Sequence, residues 1–320
     1  MRLIPLIQRA FESTIANWPL LLIRVAASVA MTVVVLIAVI PIVFFAIYSG
    51  TMSGIESVTT SADMLEWLWR NAIVVAALLV AITLIVAVAI AIHAFVSGGV
   101  AGVFLDADRA APREAWTRAQ LAAFTPDRWL GHATRTWWPI FIIYNLTWGI
   151  WFLVLMLPLV IVIPLFIGMA ENEVLGIAGC VILFFWVFAA IVGSIIVHVW
   201  TELAVLDCVA AEMAKIIAPI RHAFSILMKN AIRVIALVLL MFLIAIATSG
   251  VSVGMQIGFE LGMQIDELAF LLIPVQIMFS LIQTMISVFV GAWLMACFAT
   301  IVNESPHHRP SQTAPPPAQT

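Results

Sequence analysis

His198 and Glu202 stand one helical turn apart, so on a helix their side chains share a face and could hold a metal ion or pass a proton between them. His93 sits at the end of one apolar run much as His198 sits at the end of another. Two ligands do not make a metal site, and an imidazole at such a position more commonly serves as a polar anchor at a membrane interface. Catalysis would need a cleft in which His93, His198, Glu202 and His222 converge. Neutral polar residues inside the runs are Asn145, Thr147, Gln276, Gln283 and Thr284; of these, Asn145, Gln276 and Gln283 could line a solute path. Arg24 is near enough to a run's end to snorkel toward water. No Asp, Glu or Lys falls in the middle of a run, which argues against a proton-coupled pump. The chain has no Walker loop, no dinucleotide glycine pattern, no His-Glu-x-x-His and no Gly-x-Ser-x-Gly. Cys180, Cys208 and Cys297 lack paired spacing. The expectation is a protein without enzymatic activity, metal or cofactor.

A packing motif stands apart from these. Gly250, Gly254, Gly258 and Gly262 recur at four-residue spacing and form one helical stripe, where missing side chains would let another helix approach. Apolar residues between them, Val251, Val253, Ile257 and Phe259, favour a helix over a loop. The expected neighbour within a monomer is the sixth span; a contact between subunits of a homo-oligomer is the alternative.

The elements that must carry these residues follow from composition. Hydrophobic residues are 64% of the chain and charged residues 10%, against about a quarter charged in a soluble domain. Six apolar runs, about Leu20–Tyr48, Ala72–Phe95, Pro139–Ile167, Val174–Val197, Val234–Val253 and Phe270–Ile301, are each long enough to cross a hydrocarbon core, which takes roughly 20 residues. In lipid the backbone must satisfy itself, and the short alternating strands of a barrel are absent, so the expected fold is all-α, a polytopic membrane protein of six transmembrane helices.

Charge gives orientation. Every Lys and Arg except Arg70 falls in the N-terminal segment, the connections after spans two and four, or the tail. Glu56, Asp63, Glu66, Glu171, Glu173, Glu260, Asp266 and Glu267 fall in the opposite connections. The positive-inside bias places both termini in the cytoplasm, as expected for a multi-pass protein of a bacterial inner membrane. The net charge of −3 averages two opposite faces and gives no reason to expect a nucleic-acid partner. The first residues lack a signal peptide's compact apolar core, so span one should start insertion.

The basic segments resemble one another. Gln8-Arg9-Ala10-Phe11 leads to Asn17 and then a span, and Arg221-His222-Ala223-Phe224 leads to Asn230 and then a span. A more worn copy starts at Thr125-Pro126 and should end at Trp137-Trp138-Pro139. Residues 3–16, 126–136 and 220–230 are therefore expected as separate amphipathic helices on the cytoplasmic interface. In the first, Leu3, Ile7, Phe11 and Ile15 form the apolar stripe, with Arg2, Gln8, Arg9 and Glu12 off it. Their cations would attract anionic membrane lipid by about 1 kcal/mol each. This divides a membrane domain, 1–302, into three units, about 1–96, 112–198 and 219–302, followed by a disordered, Pro-rich cytoplasmic tail, 303–320.

The Arg-Ala-Phe segment entering span one, Glu202-Leu203-Ala204 leading to Pro219-Ile220-Arg221-His222-Ala223-Phe224, and the six-span layout resemble bacterial multi-pass membrane proteins that include the membrane domain ahead of some glycerophosphodiester phosphodiesterases. The resemblance covers about residues 1–302 and carries over no catalytic residue, and after span six only a short polar tail remains, too short for a phosphodiesterase barrel. The function expected is that of a membrane scaffold or lipid-interacting factor, with an unknown membrane-protein partner or a second copy as further possibilities. The alternative is a small-solute transporter or channel.

Overall fold

The computed structural model describes residues 2–48, 66, 69–169, 173–211, 216–263 and 266–305. Glu56, Asp63, Glu171, Lys215 and the tail from residue 306 lie outside the described residues. The fold is all-α: α1 (Leu3–Ala16), α2 (Pro19–Tyr48), α3 (Ala72–Ala110), a 3-10 turn (Arg118–Leu121), α4 (Pro126–Met169), α5 (Glu173–Ala210), α6 (Ile217–Lys229), α7 (Ala231–Met263) and α8 (Asp266–Glu304). Six of these, α2, α3, α4, α5, α7 and α8, are long and apolar enough to cross a membrane. Their outward residues, such as Leu36, Ile82, Phe184, Leu243 and Ile277, are large, apolar and exposed, as lipid-facing surfaces require.

The second span of each pair forms the centre: α3, α5 and α8 touch one another pairwise. The first spans lie outside, α2 against α3 and α8, α4 against α3 and α5, and α7 against α8. The core is densest toward the basic end of the central helices, where Phe104, Leu105, Leu203, Leu206, Phe298 and Val302 are fully buried.

One docking pattern recurs there three times. In α1, Arg9 reaches Asp108 of α3 at 2.7 Å; in α4, His132 reaches Asp106 of α3 at 2.9 Å; in α6, His222 reaches Asp207 of α5 at 3.5 Å. In each case the next residue, Ala10, Ala133 or Ala223, is fully or almost fully buried, so the helix lies close against its support. Trp293 of α8 donates from Nε1 to the Ile7 carbonyl at 3.1 Å and meets Phe11; Trp200 of α5 donates likewise to the Ile220 carbonyl at 2.8 Å and meets Phe224. The helix entering each pair of spans packs on the closing span of another pair, α1 on α8, α4 on α3 and α6 on α5, while the Arg9–Asp108 pair also ties α1 to α3, the closing span of its own pair.

Four expectations change. Arg9 does not turn to solvent: it is 1% exposed, and its Nη atoms donate to the carbonyls of Pro112, Asp108 and Ala111 at 2.7, 2.8 and 3.0 Å. A guanidinium with an acid and three carbonyls around it is satisfied without water. The second change is in the segment 126–136, which is no separate helix. α4 runs unbroken through Pro139, because its early turns are fixed against α3, where added side chains at Gly98, Gly99 and Gly102 would strike Thr136, Trp129 and His132. Third, among the described residues the stripe of Gly250, Gly254 and Gly258 has no atom within 4 Å of where a Cβ would stand, while Gly262 faces a side chain of the sixth span, Leu272. Lastly, Asn303 is not the start of a disordered tail: it closes α8, buried, with Nδ2 donating to Asp108 Oδ2 at 2.9 Å and to the Leu105 carbonyl at 3.2 Å.

Candidate functional site

The one-turn spacing of His198 and Glu202 puts both on the face of α5 that lines one pocket, Glu202 buried and His198 exposed, and the central packing of α3, α5 and α8 brings other polar groups to them. His93, Ser97, His198, Glu202 and Arg24 line one pocket of about 290 Å³, with Ser28 and Met31 of α2 and Ser287, Gly291 and Met295 of α8 completing the wall. Glu202 is 7% exposed. Its Oε1 accepts from the Tyr144 hydroxyl at 3.0 Å, and its Oε2, also buried, has no hydrogen-bond partner among the described residues. Ser97 Oγ lies 3.5 Å from the same phenol and 3.4 Å from His93 Nε2, and the His93 ring meets the Tyr144 ring edge-on at 5.0 Å.

Arg24 enters from α2 and does not snorkel to the surface. Its Nη2 donates to Met295 Sδ at 3.2 Å, a weak acceptor for a guanidinium. Arg24 and Glu202 interact through the pocket's field without a direct ion pair. Opposite charges lining one pocket attract, and Glu202 Oε2 lacks a donor among the described residues.

The pocket does not end in protein. Met31, His93 and His198 also line an apolar groove of about 520 Å³ over α3, between α2 and α4, walled by Val35, Val39, Ile82, Val86, Ala89, Ile90, Tyr144 and Trp148. From Met31 to Val39 the groove follows α2 for about 12 Å away from the basic face, at 1.5 Å per residue.

Of the residues singled out by sequence, His93, His198 and Glu202 meet. His222 does not join them, being held beside Asp207 on α6. Asn145 is exposed and folds its amide onto the Phe141 carbonyl at 2.8 Å, while Gln276 and Gln283 lie on α8 away from this pocket's lining, so the three do not gather round it. Among the described residues no group of three or more His, Cys, Asp or Glu could hold a metal ion. Tyr144, Ser97 and Ser287 were not singled out. Tyr144 had a signal: it is one of two tyrosines in the chain and lies inside a span. No protein-family model, curated protein or solved structure matches this chain.

Proposed function

We propose that this chain is a non-enzymatic, lipid-interacting protein of a bacterial inner membrane, its termini in the cytoplasm, and that it holds one amphiphile with the polar end at Arg24, His93, His198 and Glu202. The observation that carries this reading is the continuity of a charged pocket with an apolar groove through Met31, His93 and His198. A soluble solute would have no use for the groove, and a bare hydrocarbon none for the charges. The depth also suits a lipid. Glu202 precedes Asp207 by about 7.5 Å of helix, so the charged pocket is near headgroup level and the groove runs along the chains. The basic residues Arg128, Arg221 and Lys229 would add a general attraction for anionic headgroups around the site.

The test is native mass spectrometry of protein extracted in a mild detergent. One retained lipid per chain is expected, and Ala89→Trp, which fills the groove between α2 and α4, should lower that occupancy several-fold. A chain that carries no lipid, or an Ala89→Trp variant as fully loaded as the wild type, would overturn the reading.

A further inference from the structure

Resting on that reading, we propose that the amphiphile is a zwitterionic phospholipid whose headgroup joins a phosphate to a primary ammonium. The pocket contains one guanidinium and one carboxylate that do not pair directly. An anionic headgroup would satisfy Arg24 but be repelled by Glu202. A purely cationic one would do the reverse. A ligand bearing both charges neutralises both walls at once, which matters most where water is excluded.

The individual atoms sharpen the assignment. Glu202 lines the pocket; its Oε1 is occupied by the Tyr144 hydroxyl, while its buried Oε2 has no donor among the described residues. What it needs is an N–H, which a primary ammonium supplies in a charge-assisted bond and a quaternary ammonium does not. On the other side, Arg24 Nη2 meets the Met295 thioether, its acceptor among the described residues, and Gly291 leaves room beside Nη1, where an added Cβ would sit 3.6 Å away in ordinary contact. Phosphate oxygens are the natural partners of such a fork. His93 and His198, shared by pocket and groove, stand where the headgroup gives way to the acyl chains and offer hydrogen bonds to that junction.

Delipidated protein in detergent is titrated with phosphatidylethanolamine, phosphatidylcholine, phosphatidylglycerol and diacylglycerol of identical chains, and with water-soluble glycerophosphoethanolamine. Phosphatidylethanolamine should bind on the order of tenfold more tightly than either other phospholipid, the worth of one charge-assisted hydrogen bond. Glu202→Gln should bring phosphatidylethanolamine and phosphatidylcholine to near equality, and Arg24→Gln should weaken both. If Glu202→Gln does not fold, the wild-type preference between the two decides alone. Equal binding of all four lipids, still lost in Ala89→Trp, overturns the headgroup assignment and leaves the lipid reading standing; a preference for phosphatidylglycerol does the same. No binding of any lipid overturns both. Glycerophosphoethanolamine binding as tightly as the intact lipid overturns the lipid reading while keeping the zwitterion chemistry.

Discussion

Arg9 shows how a charge can be interior and structural in a membrane protein. Asp108 receives Arg9 Nε at 2.7 Å and Asn303 Nδ2 at 2.9 Å, with Thr300 Oγ1 3.2 Å away, so one carboxylate ties α1, α3 and α8 together. Removing one member of a buried pair leaves the other charge uncompensated, at a cost of about 3–5 kcal/mol. Arg9→Ala is therefore expected to cause a large fall in unfolding stability in detergent. His222→Ala, at the corresponding position of α6, removes a partner that is about one-third exposed and 3.5 Å from the buried Asp207, and should cost less than Arg9→Ala. Equal losses in a denaturant titration would contradict this ranking. Sequence made part of this visible. The Arg-Ala-Phe and His-Ala-Phe segments stood out as related, but an amphipathic pattern sorts residues by polarity, so it placed Arg9 on the outside. Which acid awaited it depended on residues about a hundred positions away. The pocket behaves the same way: helical spacing joins His198 to Glu202, whereas Tyr144 reaches Glu202, and Arg24 the same pocket, only through tertiary packing.

For whole helices, hydropathy was sufficient for number and type, because a span must be apolar over its full length whatever its neighbours. Boundaries and contacts followed other rules. Trp137-Trp138-Pro139 reads as a stop, yet the helix continues, since a proline's local loss is small beside contacts made along several turns against α3. Glycine spacing is likewise not enough to name a partner. A regular stripe is only a potential contact, and Gly250, Gly254 and Gly258 meet none of the described residues, while the less regular Gly98, Gly99 and Gly102, with Gly193 against Trp151, are where helices meet closely. Leucine at Gly99 or Gly102 should displace Trp129 or His132 and abolish a monodisperse fold. Leucine at Gly254 or Gly258 should leave monomer stability within about 0.5 kcal/mol, as for surface changes. Size-exclusion profiles and melting curves of the four variants separate these outcomes. Loss of an oligomer in the Gly254→Leu or Gly258→Leu variants alone would place the stripe between subunits.

At the scale of the molecule, the three docking contacts and both ends of the described chain share one face, the face that also carries nearly all the cations. Several of those cations are engaged within the fold: Arg118 with Glu12 at 2.6 Å, Arg233 with Glu304 at 3.0 Å and Arg113 with Glu304 at 3.5 Å. Orientation bias counts Lys and Arg near the span ends during insertion, before these pairs form, so their later neutralisation does not weaken the topological argument. Both termini and the Arg113 segment are accordingly expected in the cytoplasm. The measurement is thiol labelling of intact cells with a membrane-impermeant reagent, in a Cys180→Ser background because Cys180 is exposed while Cys208 and Cys297 are buried. Single cysteines at Ser61 and Gln264 should label from outside, and one at Ser311 should label only after lysis. Labelling at Ser311 in intact cells would reverse the orientation, and with it the leaflet from which the proposed lipid would enter the pocket at Glu202.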